Sequence, residues 1–94
     1  MRTEQMIKRA YRLRGRVQGV GFRWWAQRTA RSLGLRGWVR NCADGTVEIV
    51  LAGAKDAVGE MVSRLREGPG SAQVRSLEEM GAPDSVPSGF EIAH

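Results

Sequence analysis

The residues best suited to chemistry form a glycine-rich stretch that reads Gly-Arg-Val-Gln-Gly-Val-Gly-Phe-Arg over positions 15–23. Its glycines permit backbone conformations that other residues resist and let a ligand approach closely. A loop that opens a helix directs free N–H groups at one point, where the helix dipole favours negative charge. Arg23 adds a planar guanidinium that matches two phosphate oxygens. The stretch predicts an anion site, although its spacing alone fits a tight turn with a solvated arginine equally well.

Asn41 is the second candidate, because it ends a later strand segment. A helix of about 12 residues advances roughly 18 Å away from the glycine loop. A seven-residue strand advances roughly 23 Å back. We therefore expect Asn41 to return to the level of Arg23. A side-chain amide does not take up a proton near neutral pH, so it would orient water rather than act as a base. On spacing alone, a polar residue at a strand end beside a turn is the better interpretation.

Alternating hydrophobic periods predict the elements that position these residues. We predict helices over 22–33 and 55–67 and strands over 8–17, 35–41, 46–51, 72–80 and 90–92. The order is strand, helix, strand, strand, helix, strand, with a short terminal strand. It predicts an α+β class fold, a ferredoxin-like split βαβ sandwich. Both helices should cover one face of a mainly antiparallel sheet, and the other face should be open to water.

Length and composition indicate a small globular protein. The chain has 94 residues, of which 41% are hydrophobic and 27% charged, so wholesale disorder is disfavoured. We predict one domain over 1–94 with a flexible N-terminus over 1–7. No apolar run approaches the roughly 18 residues of a membrane span. No signal-peptide core follows the first residues, so we expect a cytoplasmic protein with no membrane partner.

Metal and cofactor chemistry is not expected from the side chains present. The single cysteine, Cys42, excludes an intrachain disulfide and a cysteine-based metal cage. Acidic residues do not cluster at metal-ligand spacing. Cys42 is expected to be incidental, because no histidine is placed to act as its base. We expect His94, the last residue, to be mobile and to have no catalytic role.

Positive charge is concentrated in the first half of the chain. The 15 Lys and Arg residues outnumber the 10 Asp and Glu residues, for a net charge of +5. Residues 1–41 hold 11 basic residues and 1 acidic residue, whereas residues 42–94 hold 4 basic residues and 9 acidic residues. This asymmetry predicts an anionic partner for the first half, either a small phosphate compound or a nucleic acid.

Two long stretches of the sequence strongly resemble the acylphosphatase family. The first is the glycine-rich stretch 15–23. The second reads Leu-Gly-Leu-Arg-Gly-Trp-Val-Arg-Asn over 33–41 and continues as Asp-Gly-Thr-Val-Glu over 44–48. The likeness extends through Gly53, Gly68-Pro69 and Phe90-Glu91-Ile92 and covers roughly residues 8–93. It implies the ferredoxin-like fold and hydrolysis of the carboxyl-phosphate bond of acyl phosphates.

The resemblance also implies roles for particular residues. Arg23 and Asn41 would be catalytic, with Arg23 clamping the phosphate and Asn41 positioning the attacking water. The implied phosphate-binding residues are Arg16, Val17, Gln18, Gly19, Val20, Gly21, Phe22 and Arg23. No metal, cofactor or covalent intermediate is implied. The partners would be a small acyl phosphate and inorganic phosphate, as product and competing ligand, and we expect a monomer.

Two alternatives to a free-standing enzyme remain at this point. One is single-stranded RNA binding by a basic sheet face with an aromatic residue. That face would carry Arg12, Arg14, Arg16, Arg36, Trp38 and Arg40. It has one aromatic for stacking, and Glu48 would neutralise part of it, so nucleic acid is the less favoured partner. The other is an accessory domain like those in larger carbamoyl-transfer maturation proteins, which the short chain disfavours.

The sequence leaves one feature of the site undecided. Trp24 and Trp25 both fall in the first turn of the predicted helix that follows the glycine loop. We expect one of them to pack and the other to line the mouth of the site.

Overall fold

A computed structural model of the protein describes residues 5–94 and shows two helices and five strands there. Their order confirms the predicted pattern. The elements are β1 (Met6–Arg16), α1 (Phe22–Ser32), β2 (Arg36–Asn41), β3 (Val47–Ala54), α2 (Lys55–Glu67), β4 (Gln73–Met80) and β5 (Phe90–Ile92).

The strands form one sheet in the order β4-β1-β3-β2-β5. β1 pairs antiparallel with β3 and β4, and β2 pairs antiparallel with β3. The short β5 pairs parallel with β2 at the edge of the sheet. This topology confirms the predicted split βαβ sandwich with a mainly antiparallel sheet.

β1 begins earlier than the alternation of polarity predicts. It starts at Met6 rather than at residue 8, and its first two residues pair with the end of β3. The last two residues of the flexible N-terminus predicted over 1–7 therefore belong to a strand. Residues 1–4 of that prediction lie outside the described residues.

β3 is longer than the predicted strand 46–51, because it runs over Val47–Ala54. It lies in the middle of the sheet, and seven of its eight residues are buried. A strand covered on both faces shows no alternation between apolar and polar residues. The sequence around Ala52 and Gly53 therefore has no alternation of apolar and polar residues from which the end of the strand could be predicted.

The hydrophobic core lies between the helices and one face of the sheet. Alternate residues of β1 and β3 point into it, as the two-residue period of a strand requires. Each large apolar side chain buried there contributes about 1.5–3 kcal/mol relative to an exposed one. The fully buried large side chains are Phe22, Phe90, Leu13, Ile49, Leu51, Met61, Leu65, Val17, Val39, Val47 and Val50, and all but Val50 belong to this core cluster.

The face opposite the helices is not fully open to water, contrary to the prediction. The connection over 81–89 leads from β4 at one edge to β5 at the other, and the helices occupy the first face. The connection therefore crosses the second face. Lys8 Nζ anchors it by donating hydrogen bonds to the carbonyl oxygens of Pro83 and Asp84, at 3.1 and 2.5 Å. The apolar residues buried on this face are Ala10, Val50 and Ala52.

Gly37 stands where β2 and β3 approach too closely for a side chain. Its φ is 137°, and a Cβ on it would lie 1.9 Å from the carbonyl oxygen of Val50. We expect Gly37→Ala to lower the free energy of unfolding by about 2–4 kcal/mol, through this clash and the strained backbone. Urea denaturation measures the effect.

Gly59→Ala is the matched control for this substitution. Gly59 lies within α2, and a Cβ added to it would meet no atom within 4 Å. We expect this variant to be more stable by about 0.5–1 kcal/mol, because alanine is the better helix former. Equal unfolding midpoints for Gly37→Ala and the wild type would contradict the β2–β3 geometry.

Candidate active site

The loop between β1 and α1 ends in a helix terminus without a side-chain cap. Gly19 and Gly21 have φ values of 72° and 74°, in the left-handed region that glycine adopts most readily. Gly21 is the N-cap, and no acidic residue occupies the first turn. The positive end of the α1 dipole therefore has no carboxylate from its own first turn to neutralise it. Such a terminus is suited to binding an anion.

A cavity of about 330 Å³ opens at this helix terminus. Arg23, which is half-buried, and Asn41, which is exposed, both line it. The two residues come together as the lengths of α1 and β2 predict. The full lining is Val17, Gly19, Gly21, Phe22, Arg23, Trp24, Asn41, Ile92 and His94.

The other predicted phosphate-binding residues lie around this cavity rather than in its lining. Arg16 is exposed at the end of β1, and Val20 packs half-buried against the core. The side chain of Gln18 is turned away to a neighbouring hairpin. The structure therefore brings Val17, Gly19, Gly21, Phe22 and Arg23 of the predicted set to the cavity, together with Asn41.

Gln18 ties the loop to the hairpin that follows Asn41. Its Nε2 donates hydrogen bonds to the carbonyl oxygens of Cys42 and Thr46, each at 2.9 Å. The hairpin is closed by a hydrogen bond of 2.8 Å from the Cys42 N–H to the same Thr46 oxygen. One side chain thus connects the loop that would hold an anion to the strand end that carries Asn41. Sequence reasoning missed this contact, because no pattern shows which carbonyls a loop glutamine reaches.

The two neighbouring tryptophans have different surroundings. Trp25 packs beside the core, with its ring centroid 5.4 Å from that of Phe22. Trp24 is 58% exposed and lines the cavity. The guanidinium of Arg28 lies 4.3 Å from the centroid of its ring. The structure therefore assigns packing to Trp25 and the mouth of the cavity to Trp24. His94 also lines the cavity, although the sequence suggested only a mobile chain end.

Glu48 neutralises part of the basic surface on the face of the sheet that the helices do not cover. Glu48 is 7% exposed, and its carboxylate accepts hydrogen bonds of 2.9 Å from Arg12 and from Arg40. These hydrogen bonds hold the pKa of the Glu48 carboxyl below its ordinary value, against the opposing effect of burial. Arg40 also lies 5.2 Å from the ring centroid of Trp38. The aromatic and two of the arginines needed for RNA binding therefore contact partners within the protein.

The lowered pKa of Glu48 predicts a loss of stability in acid. A carboxyl whose pKa is depressed in the folded protein adds stability above its unfolded pKa, about 4.3, and loses it as pH falls further. We expect Glu48→Gln to reduce the pH dependence of the unfolding free energy below that pH. Denaturation series between pH 7 and pH 2 measure the slope.

Glu78→Gln is the control, since Glu78 pairs at 3.5 Å with Arg14 and both side chains are half exposed. Exposed pairs contribute only about 0–1 kcal/mol. The same acid slope in Glu48→Gln and in the wild type would show that the ion pairs of Glu48 do not stabilise the fold.

Two kinds of feature are absent from residues 5–94. Within residues 5–94, no three His, Cys, Asp or Glu side chains are grouped as metal ligands. Neither helix in this part of the chain has the length and apolar character needed to cross a membrane.

Fold and site together define a ferredoxin-like α+β sandwich whose uncapped helix terminus opens onto a cavity lined by one arginine and one amide. The acylphosphatase family model matches residues 9–92. An acylphosphatase of Nitrobacter hamburgensis is 58% identical over 67 residues, which cover 71% of this chain and 68% of the relative. An acylphosphatase of Rhizobium etli is 49% identical over 82 residues, which cover 86% of this chain and 87% of the relative. The chain therefore belongs to the acylphosphatase family, which comprises hydrolases acting on acyl phosphates.

Solved structures show the same fold. The acylphosphatase from Coxiella burnetii superposes with a TM-score of 0.84 at 33% identity, covering 99% of this chain and 100% of that one. HypF from T. kodakarensis gives a TM-score of 0.82 at 28% identity, covering 94% of this chain but only 12% of that one. The fold thus occurs both as a whole solved chain and as a small part of a much longer one.

Proposed function

We propose that this protein hydrolyses the carboxyl-phosphate bond of acyl phosphates, releasing a carboxylate and inorganic phosphate. The observation that carries the proposal is that Arg23 and Asn41 line one cavity at the uncapped N-terminus of α1. Membership of the acylphosphatase family supports the same reaction. The loop over 16–22 supplies the remaining phosphate contacts in this proposal.

The phosphoryl group binds between the loop and Arg23. Backbone N–H groups of the loop and of the first turn of α1 donate to its oxygens, and the helix dipole adds favourable potential. The guanidinium of Arg23 donates two parallel hydrogen bonds to two of these oxygens. Phosphoryl transfer depends mainly on positioning and on charge stabilisation, and these groups provide both.

Asn41 positions the water that attacks phosphorus. Its amide oxygen accepts a hydrogen bond from the water, and its amide nitrogen is available as a donor. The new bond joins the water oxygen to phosphorus, and the bond from phosphorus to the acyl oxygen breaks with its electron pair going to the carboxylate. One water proton passes to a phosphate oxygen and the other stays on the entering oxygen. The carboxylate is a good leaving group, so no strong general acid is needed.

The hydrogen bonds of Gln18 fix the position of the phosphate loop relative to Asn41. It connects the phosphate loop to the hairpin next to Asn41 through the two 2.9 Å hydrogen bonds. Displacement of reacting groups by about 1 Å costs on the order of 100-fold in rate. A fixed separation between the loop and Asn41 is therefore part of the proposed mechanism.

Release of phosphate from acetyl phosphate and benzoyl phosphate tests the proposal. We expect turnover that persists in chelator and after Cys42 is blocked with a small thiol reagent. Inorganic phosphate should compete with the substrate, because it resembles the group that the loop binds. Loss of activity in chelator and its recovery with Mg²⁺ would overturn the metal-free mechanism. Absence of turnover above the spontaneous rate would overturn the function itself.

A further inference from the structure

We propose that Trp24 and Ile92 form a subsite for the acyl group and that this subsite favours flat, apolar acyl groups such as benzoyl over acetyl. The inference rests on the proposed function, because it concerns the other end of the same substrate.

The cavity is larger and more apolar than a phosphate site alone requires. Arg23, Asn41 and the loop glycines line the end assigned to the phosphoryl group and water. Trp24 and Ile92 line the same cavity and have no part in that chemistry. An acyl group attached to the bound phosphate has to lie within this remaining space. The volume of about 330 Å³ falls within the range of small-molecule sites, which begins near 300 Å³.

Trp24 has an exposure that packing does not explain. The large apolar side chains that are exposed among the described residues are Met6 and Trp24, at 65% and 58%. Trp25, the next residue, is packed beside the core, so the helix did not lack room for a buried indole at this end. An exposed indole at the mouth of a cavity offers apolar surface to a ligand.

Arg28 holds the indole of Trp24 in place. Its guanidinium lies 4.3 Å from the ring centroid, a distance at which cation–π attraction is effective. Arg28 follows Trp24 by one helical turn, so the pair forms within α1 alone. The ring is therefore oriented before a ligand binds, and less conformational freedom is lost on binding.

The subsite should act on binding rather than on the chemical step. An acyl ring makes the same contacts with Trp24 in the substrate complex and in the transition state. Such uniform binding lowers KM and leaves kcat nearly unaffected. Aromatic pairing contributes roughly a tenfold factor in affinity beyond the area buried. This KM effect distinguishes Trp24 from Arg23 and Asn41, whose loss should reduce kcat.

The experiment compares the preference for benzoyl phosphate over acetyl phosphate, expressed as the ratio of their kcat/KM values. We expect Trp24→Ala to reduce this ratio roughly tenfold, mainly through KM for benzoyl phosphate, and Trp24→Phe to retain most of it. The use of variant-to-wild-type ratios cancels the different intrinsic reactivities of the two acyl phosphates.

Trp38→Ala is the matched control. Trp38 is also stacked by an arginine, Arg40 at 5.2 Å, but it lies on the opposite face of the sheet, away from the cavity. Its loss should leave the preference unchanged. An unchanged preference in Trp24→Ala, or the same change in Trp38→Ala, would overturn the subsite while leaving hydrolysis itself supported.

A binding measurement keeps the two proposals separable if turnover is absent. Phenacylphosphonate and acetonylphosphonate replace the bridging oxygen of the two substrates with a methylene group and cannot be hydrolysed at that bond. We expect calorimetry to give roughly tenfold tighter binding of the phenacyl compound to the wild type, and loss of that difference in Trp24→Ala. Equal affinity of the wild type for both compounds would refute the subsite, whatever the catalytic result.

Discussion

Replacing Arg23 by lysine should reduce acyl phosphate turnover by at least about 100-fold, because removing one preorganised donor from a developing anion typically costs 10²–10³ in rate. Lysine keeps the positive charge but lacks the planar fork that binds two oxygens at once. Arg23→Ala should be worse, since it removes the charge as well. Inorganic phosphate should inhibit both variants less strongly than the wild type.

The fold should survive these substitutions. Arg23 is half-buried in the first turn of α1 and lines the cavity rather than the core. Arg31→Lys is the matched control, because Arg31 is exposed in the last turn of the same helix. Thermal unfolding and steady-state kinetics of the three variants separate stability from catalysis. Near-normal turnover in Arg23→Lys would show that Arg23 is not a bidentate clamp.

Asn41→Asp should lower turnover by on the order of 100-fold or more, the usual cost of a misplaced reactant. The aspartate is nearly isosteric, so the structure should be retained. It brings a like charge close to the bound phosphate and replaces the two amide donors with acceptors alone. If Asn41 were instead a weak general base, aspartate would be a better one and turnover would hold or rise. Asn41→Ala should be comparably poor.

Inhibition by inorganic phosphate distinguishes the role of Asn41 from that of Arg23. We expect Asn41→Ala to keep most of its phosphate affinity, because the loop and Arg23 still hold the anion. Gln5→Glu is the control for the negative charge that Asn41→Asp adds, since Gln5 is exposed directly before β1, at the end of that strand far from the loop. Loss of phosphate affinity in Asn41→Ala as severe as in Arg23→Ala would remove Asn41 from the water-positioning role.

The sequence predicted the positions of the secondary-structure elements well, because the hydrophobic period and the glycines that mark turns and helix ends are local signals. The lengths of α1 and β2 alone placed Asn41 at the level of Arg23, and both line one cavity. Helical spacing also indicates which of the two tryptophans packs against the core. Trp25 lies three residues after the buried Phe22 and so shares its face, whereas Trp24 lies two residues after it and does not.

Features that depend on distant contacts could not be predicted in this way. The path of residues 81–89 across the second sheet face follows from which edges β4 and β5 occupy, and that is settled only when the sheet is assembled. The hydrogen bonds of Gln18 join residues 24 and 28 positions apart. No local period encodes such a pairing. The position of His94 at the cavity depends likewise on the docking of β5 beside β2.

In the proposed mechanism, water attacks phosphorus rather than the acyl carbon. Hydrolysis of benzoyl phosphate in ¹⁸O-labelled water, analysed by mass spectrometry, tests it directly, with the spontaneous reaction measured in parallel and subtracted. Attack at phosphorus predicts that the label enters inorganic phosphate and that the benzoate remains unlabelled. Label in the benzoate would mean that the carbon–oxygen bond is broken, and the roles given to the phosphate loop, Arg23 and Asn41 would be contradicted.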